Sequence, residues 1–254
     1  DIAMWLYELG GIDVCKVNDD DDDYSGFISS CIRGHKYIAT WIYGLDGIDR
    51  YIDKNMAFQI SCECGSKDIA EWLYKLDGTD IQADYDQAFT VSCDNGYIEV
   101  AKWLYGLGGV ECDNSIFVCS CCQGYEEMAK WAYGLGGVDI HANNDEAFRV
   151  SCMKDYKEIA QWLYELGGVD IHAQNDEAFR ESCKNGNEEV AHWLYGLGNI
   201  NIHAENDYAF IKSCENGHKE IAQWLYELGG VNKYAQNDEA LRKSFDNGHE
   251  EVIK

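Results

Sequence analysis

The sequence contains no proline and has few basic residues. Its 254 residues include 20 lysines and arginines against 46 aspartates and glutamates, which gives a formal net charge of −26. A surface of this sign repels phosphates, so we expect no binding to nucleic acid. The charge suits a basic protein partner, and it equally suits a solvated repeat array that needs no partner to explain its acidity.

Long apolar runs and signal-type sequences are also absent. Without 18 consecutive apolar residues or a signal-type apolar region, we expect the chain neither to span a membrane nor to be targeted to one. The first residue is Asp1 and not methionine, and both ends interrupt the repeat described below. We therefore expect a segment of a longer protein.

Motifs on which an enzyme would depend are missing as well. No Ser-His-Asp arrangement, phosphate-cradling glycine loop or isolated carboxylate pair stands apart from the repeat. Those are the groups that nucleophilic, phosphoryl-transfer and acid–base chemistry require. We expect no catalytic residues, no cofactor and no enzymatic activity.

What the sequence does have is a repeat of about 31 residues. Each copy contains one of eight tryptophans, at spacings of 36, 31, 31, 28, 31, 31 and 31 residues. So regular a period indicates a stacked array in which each unit contacts only its neighbours. We expect one continuous domain over residues 1–254, with a partial repeat at 1–23, seven full repeats at about 24–237 and a partial repeat at 238–254.

One stretch of each repeat, shown by Glu158–Gly168, predicts an amphipathic helix, here called the second helix. Its apolar residues, such as Ile159, Trp162 and Leu166, recur at helical spacing. Glu158 lies in the first turn, where its negative charge stabilises the exposed amide end of the helix dipole. Gly167-Gly168 predicts a left-handed cap after the last apolar residue.

A preceding stretch, Asp176–Gly186, predicts the first helix of each pair. A cysteine lies ten residues before the tryptophan and four after a phenylalanine in all seven full repeats. Phenylalanine, cysteine and tryptophan should therefore all point into the interior that successive repeats share. Asp176 is predicted to cap the start of this helix, as are its counterparts Asp145 and Asp207, and Asn185-Gly186 should end it at a left-handed turn.

The 12 cysteines do not fit a disulfide scaffold. Seven of them occupy equivalent positions of successive repeats, where packed helices lie about 8 to 10 Å apart, beyond the ~7 Å that a disulfide allows between Cα atoms. We interpret them as small buried hydrophobes of a reducing compartment, which predicts a cytosolic or nuclear location.

Two motifs carry a resemblance to a known family. Gly217-His-Lys-Glu-Ile-Ala-Gln-Trp-Leu225 and Val169-Asp-Ile-His-Ala173 resemble the ankyrin repeat. The second helix contains Trp-Leu-Tyr, the first helix starts with Asn-Asp-x-Ala-Phe, and proline is absent. In these features the chain looks most like ankyrin proteins of giant amoebal, mimivirus-like DNA viruses. The resemblance implies an all-α, ankyrin-type helix-pair solenoid that binds proteins, and for a viral protein a place in the host cytosol or the virion.

The departures from the family pattern are also informative. Glu177-Ala-Phe-Arg180 stands where the family has Thr-Pro-Leu-His, and only Gln174-Asn175-Asp176 stands where the family has six residues. Shortened loops should therefore replace the long β-hairpin fingers. This shifts the predicted partner contacts from finger tips to the first helices.

Three irregular features invite a metal or a modification. Asp21–Gly26 resembles the opening of a calcium loop, but Ile32 stands where its last ligand belongs, and we interpret the stretch as a solvated loop. Cys119 and Cys122 form a C-x-x-C without a second pair, which favours packing over zinc or redox chemistry. His141, His172 and His203 lie too far apart to share a metal; the family resemblance suggests them as targets of an asparaginyl hydroxylase.

We therefore predict a protein-binding scaffold that recognises its partner on the concave face formed by the first helices. One alternative is a structural spacer or virion component that associates end to end instead of remaining a monomer. Another is the substrate-recognition arm of a ubiquitin-ligase adaptor. The predicted contacts are first-helix positions whose chemistry varies between repeats: Thr90, Asp94, Arg149, Met153, Arg180, Glu181, Lys184, Lys212, Glu215 and Arg242.

Overall fold

The computed structural model describes residues 25–45, 52–76, 85–231 and 235–249. These residues form fifteen α-helices and no β-strand. Contacts between Cα atoms divide the chain into two compact units, residues 1–111 and 112–254. The all-α prediction is confirmed. The calcium-like stretch at Asp21–Gly26 falls largely outside the described residues.

The described part of the first unit contains three helix pairs. In each pair a short turn connects the first helix to the second, and the first helix is at least as long as the second. The helices are α1 Ser25–Ile32, α2 Lys36–Tyr43, α3 Lys54–Glu63, α4 Lys67–Tyr74, α5 Tyr85–Asp94 and α6 Ile98–Leu107.

The second unit continues the pattern with four pairs and one further first helix. They are α7 Asn114–Gln123, α8 Glu126–Leu135, α9 Ala142–Met153, α10 Lys157–Leu166, α11 Ala173–Asn185, α12 Glu188–Leu197, α13 Ala204–Glu215, α14 Lys219–Leu228 and α15 Ala235–Asp246. Among all helices of the described residues, none has the length and apolarity needed to cross a membrane.

The core is built from the positions that recur every repeat. Phe179 and Cys183 of α11 are both fully buried, and their phenylalanine and cysteine counterparts in the other full repeats are buried too, whereas Leu241 and Phe245 stand exposed at these positions of α15. Ile159 and Leu163 of α10 are at most 2% exposed. The predicted inward face of each helix is therefore confirmed. Burial also raises the pKa of Cys62 to about 12, so this thiol behaves as an apolar core group.

The tryptophans differ from the prediction, because they are only half-buried. Trp193 lies with its ring centroid 6.1 Å from that of Phe148 and 5.9 Å from that of Tyr164, both in the preceding repeat. The same arrangement recurs at Trp162 and Trp224. An indole is too large for the narrow space between two helix pairs, so one edge packs on the repeat before it and the other reaches the surface.

The two glycine-containing helix ends have different geometries. At Gly186 (φ 82°, ψ 16°) the chain is left-handed, and the amide of Asn187 bonds to the Ser182 carbonyl at 2.9 Å, as predicted for the end of a first helix. Gly167 instead has φ 89° and ψ 159°. The predicted left-handed cap of the second helix is therefore wrong, because the backbone adopts an extended conformation with positive φ that only glycine enters readily.

Candidate protein-binding surface

The least regular part of the second unit is a left-handed turn that opens α9, α11 and α13. Residues Gln174, Asn175 and Asp176 have φ values of 57°, 57° and 56°, and the equivalent residues at 143–145 and 205–207 have nearly the same angles. A left-handed conformation costs roughly 1–2 kcal/mol for each residue with a Cβ. Three in succession therefore need strong support from their surroundings.

The third residue of each turn supplies part of that support. The Asp176 carboxylate accepts a hydrogen bond from His172 Nδ1 at 2.6 Å and one from the backbone N–H of Asn201, in the next repeat, at 3.1 Å. Asp145 bonds in the same way to His141 and to the amide of Asp170. These carboxylates therefore connect two repeats.

The predicted helix-capping role of Asp145, Asp176 and Asp207 is accordingly wrong. Each is buried, with a left-handed backbone and its carboxylate turned to a histidine. Caps do occur elsewhere, where no left-handed turn intervenes: Asp53 accepts from the amides of α3 and Asp113 from the Ile116 amide of α7.

Two predicted contact residues, Arg149 and Arg180, hold these turns closed. Arg180 donates from Nε to the Asn175 carbonyl at 2.8 Å and from Nη2 to the Gln174 carbonyl at 3.0 Å. Arg149 binds its own turn in the same way and also pairs with Glu177 of the next repeat. The planar guanidinium matches two adjacent carbonyls, which a lysine cannot do.

Two polar pockets lie between successive left-handed turns. The larger, about 550 Å³, is lined by residues that include His141, Asn144, His172 and Asn175. The other, about 410 Å³, is lined by equivalent residues one repeat later, among them His203 and Asn206. Imidazole and carboxamide side chains donate and accept hydrogen bonds, so both pockets suit polar groups.

The predicted contact residues of α11 form a network with the next first helix. Lys184 Nζ and Tyr208 Oη lie 2.8 and 2.9 Å from the two Glu181 oxygens, and the Arg180 guanidinium lies 5.1 Å from the Tyr208 ring centre. The hydrogen bond to Glu181 raises the pKa of Lys184. The pKa of Tyr208 is also raised, first by burial and then by Glu181.

A second cluster of the same kind forms on α13. Lys212 and Lys243 bind the Glu215 carboxylate at 2.6 and 3.2 Å. Burial opposes ionisation of Glu215, but the two ammonium groups outweigh it and lower the pKa of this carboxyl. These charged residues bind one another across repeats, which reduces what they offer to a partner.

The remaining predicted contact residues are more dispersed. Thr90 and Asp94 on α5 and Arg242 on α15 are exposed, whereas Met153 at the end of α9 is half-buried. The Met153 carbonyl accepts hydrogen bonds from the side chains of Asn185 and Asn187, both at 2.9 Å. In the second unit, Arg149, Arg180 and Arg242 belong to one register of the first helices.

Sequence reasoning missed the part that asparagines play between repeats. Asn216 Nδ2 donates to the Lys184 carbonyl at 2.7 Å, and Asn95, Asn185 and Asn247 make the same bond to the preceding first helix. The recurrence of Asn before Gly was visible in the sequence. This pair indicates a turn, and in the structure the asparagine side chain also satisfies a carbonyl at the end of the neighbouring helix.

The cysteine cluster around Cys119 and the three histidines are the other irregular features of the sequence. Cys121 is buried, Cys112, Cys119 and Cys122 are half-buried, and within the described ranges no three potential metal ligands come together. The three histidines that were candidates for hydroxylation each bond an aspartate through Nδ1 and are exposed, and their modification stays a prediction.

Both a family model and a solved structure resemble parts of this chain. The family described as "Ankyrin repeats (many copies)" matches residues 148–195. Among solved structures, the ankyrin repeat domain of human ASB11 superposes with a TM-score of 0.57 at 16% sequence identity, covering 81% of this chain and 98% of that domain. A comparison with curated protein sequences finds no match.

The fold is therefore that of an ankyrin-repeat solenoid, with short loops in place of long β-hairpin fingers, as predicted. Residues 148–195, which include Arg149, Met153, Arg180, Glu181 and Lys184, carry the repeat at the level of sequence. Ankyrin repeats generally serve as protein–protein interaction domains and are typically not enzymes.

Proposed function

We propose that the chain is a scaffold that binds a partner protein along the first helices and left-handed turns of its second unit. The observation that carries this proposal is the pair of polar pockets, one at His141–Asn175 and one at Asn175–Asn206. The two pockets are formed by equivalent residues of successive repeats. A repeated pocket suits a ligand that also repeats at a fixed spacing. An extended polypeptide is such a ligand.

The expected spacing follows from simple geometry. Packed helices lie about 8 to 10 Å apart, and a polyproline II segment rises about 3.1 Å per residue with three residues per turn. Side chains three residues apart in such a segment point to the same side and would therefore meet equivalent pockets. Asn144, Asn175 and Asn206 are exposed in these turns. Asn175 Nδ2 donates to Glu205 at 2.9 Å, which leaves its side-chain oxygen to accept from a main-chain or polar side-chain group.

Arg149 and Arg180 act in this proposal as positioning residues. Their guanidinium groups bond the carbonyls of the turns, so they fix the pocket walls. Arg242 remains a candidate direct contact at an exposed first-helix position of the second unit. Thr90 and Asp94 belong to the first unit and remain separate candidates there. The resemblance to ankyrin proteins of giant amoebal viruses extends the proposal to a host cytosolic protein as the partner.

Site-specific photocrosslinking tests the proposal. A benzophenone amino acid at Gln174, which is exposed in the pocket wall, should crosslink a protein from host-cell extract, and the same group at exposed Lys154 should not. The N144A/N175A double variant should lose the crosslink while keeping its helical circular dichroism. Equal crosslinking at both positions, or none at Gln174, would contradict the proposal.

A further inference from the structure

The outer faces of the second helices carry a row of exposed aromatic rings. Tyr133, Tyr164 and Tyr195 occupy one register of α8, α10 and α12 and are 39%, 38% and 37% exposed. Each ring packs edge to face on the tryptophan of the next repeat, at centroid distances of 5.7, 5.9 and 5.4 Å. The stacking fixes the rings while leaving part of each open.

Two glycines leave open surface on the helices that carry these rings. Gly134 and Gly196 follow Tyr133 and Tyr195 within the helices, and a Cβ added at either would meet nothing within 4 Å. A helix-interior glycine costs about 1 kcal/mol relative to alanine. Glu165 occupies the same register of α10, so the fold accepts a long side chain here. No close contact within the chain therefore requires glycine at these two positions.

The surroundings of the row are strongly negative. The helices α8, α10, α12 and α14 contain two glutamates each, against three lysines in all four. Two of those lysines are already paired, Lys130 with Glu126 at 2.6 Å and Lys157 with Glu189 at 2.9 Å. An acidic face with exposed aromatic rings complements a cationic ligand.

One tryptophan on which this row packs already lies near a cation. Lys130 Nζ lies 5.7 Å from the centre of the Trp162 ring, on which Tyr133 also packs. Gln161 occupies the register of Lys130 before Trp193, so an uncharged group stands there. Lys130 therefore shows, one repeat away, the geometry that an external lysine or arginine would adopt.

We propose that the row formed by Tyr133, Tyr164 and Tyr195 binds a lysine- and arginine-rich segment of a protein. Its cationic side chains lie over the aromatic rings and between the exposed glutamates, and its backbone runs close to the helices at Gly134 and Gly196. With repeats about 8 to 10 Å apart, every third residue of a segment in the polyproline II conformation faces the row and reaches the next ring. This row lies on the second helices and does not depend on the first-helix surface proposed above.

Fluorescence anisotropy with a defined probe tests the proposal on the full chain. The probe is a fluorescein-labelled peptide with an arginine at every third position, compared with the same peptide containing uncharged citrulline. We expect the arginine peptide to bind at least ~10-fold more tightly, a difference of 1.4 kcal/mol. No binding of the arginine peptide, or equal binding of the two peptides, overturns the proposal.

Variants then locate the site. G134Q/G196Q places long side chains of good helix propensity on the open helix surface along which the bound segment is proposed to run, so affinity should fall about tenfold while the urea midpoint stays or rises. E158Q/E220Q should weaken binding and its salt dependence, whereas D246N, which removes an exposed carboxylate of α15, should change affinity less than about twofold. Unchanged binding in the stable glycine variant, or an equal loss in D246N, would show that only overall charge is sensed.

Discussion

Gly186 and Gly196 lie ten residues apart in the same repeat, and alanine should have opposite effects at the two sites. At Gly186 the backbone is left-handed, with φ 82° and ψ 16°, and an added Cβ would lie 2.6 Å from the His218 ring of the next repeat. The left-handed conformation costs about 1–2 kcal/mol for a residue with a Cβ. Displacing His218 adds a cost of similar size, so we expect G186A to lower the free energy of unfolding by about 2–4 kcal/mol.

At Gly196 the backbone is ordinary helix, and the space around a Cβ is open. We expect G196A to raise the free energy of unfolding by about 1 kcal/mol, because alanine has the higher helix propensity. Urea denaturation followed by circular dichroism measures both variants against the unmodified chain, with equal m-values as the condition for comparison. A G186A variant within 0.5 kcal/mol of the parent, on the order of ordinary surface substitutions, would refute the packing of His218 on this turn.

Further outcomes follow from the core, the turns and the thiols. F179A should cost about 3–5 kcal/mol in urea denaturation because Phe179 is fully buried, and F245A, at a 73% exposed position, should cost less than about 0.5. R180K should speed amide exchange at Asn175 and Asp176, since lysine cannot bond two carbonyls; unchanged exchange contradicts this role. Burial raises the pKa of Cys62 from 9.0 to about 12, so above pH 9 the unfolded state loses its proton first and stability falls. The urea midpoint should therefore drop as the pH rises from 9.0 toward about 12, and it should drop less in C62A.

Much of the fold follows from local pattern, and a sequence alone contains that pattern. Phe179 and Cys183 lie four residues apart on a stretch of helical period, so their shared burial could be predicted without coordinates. Gly186 ends its helix as the Asn-Gly pair indicated. The candidate site is harder to predict from the sequence than the fold is. Variation between repeats marks possible contact residues, but it does not reveal whether those residues bind one another.

The sequence by itself determined the repeat period, the two helices of each pair and the apolar faces that they bury, because these depend on residues three or four positions apart. Only the tertiary structure decided the left-handed turns, the half-burial of the tryptophans and the pairing of Glu181 with Tyr208. Asp176 stabilises its turn through the amide of Asn201, 25 residues away. Local propensity disfavours that turn, and only contacts supplied by the next repeat make it the stable conformation.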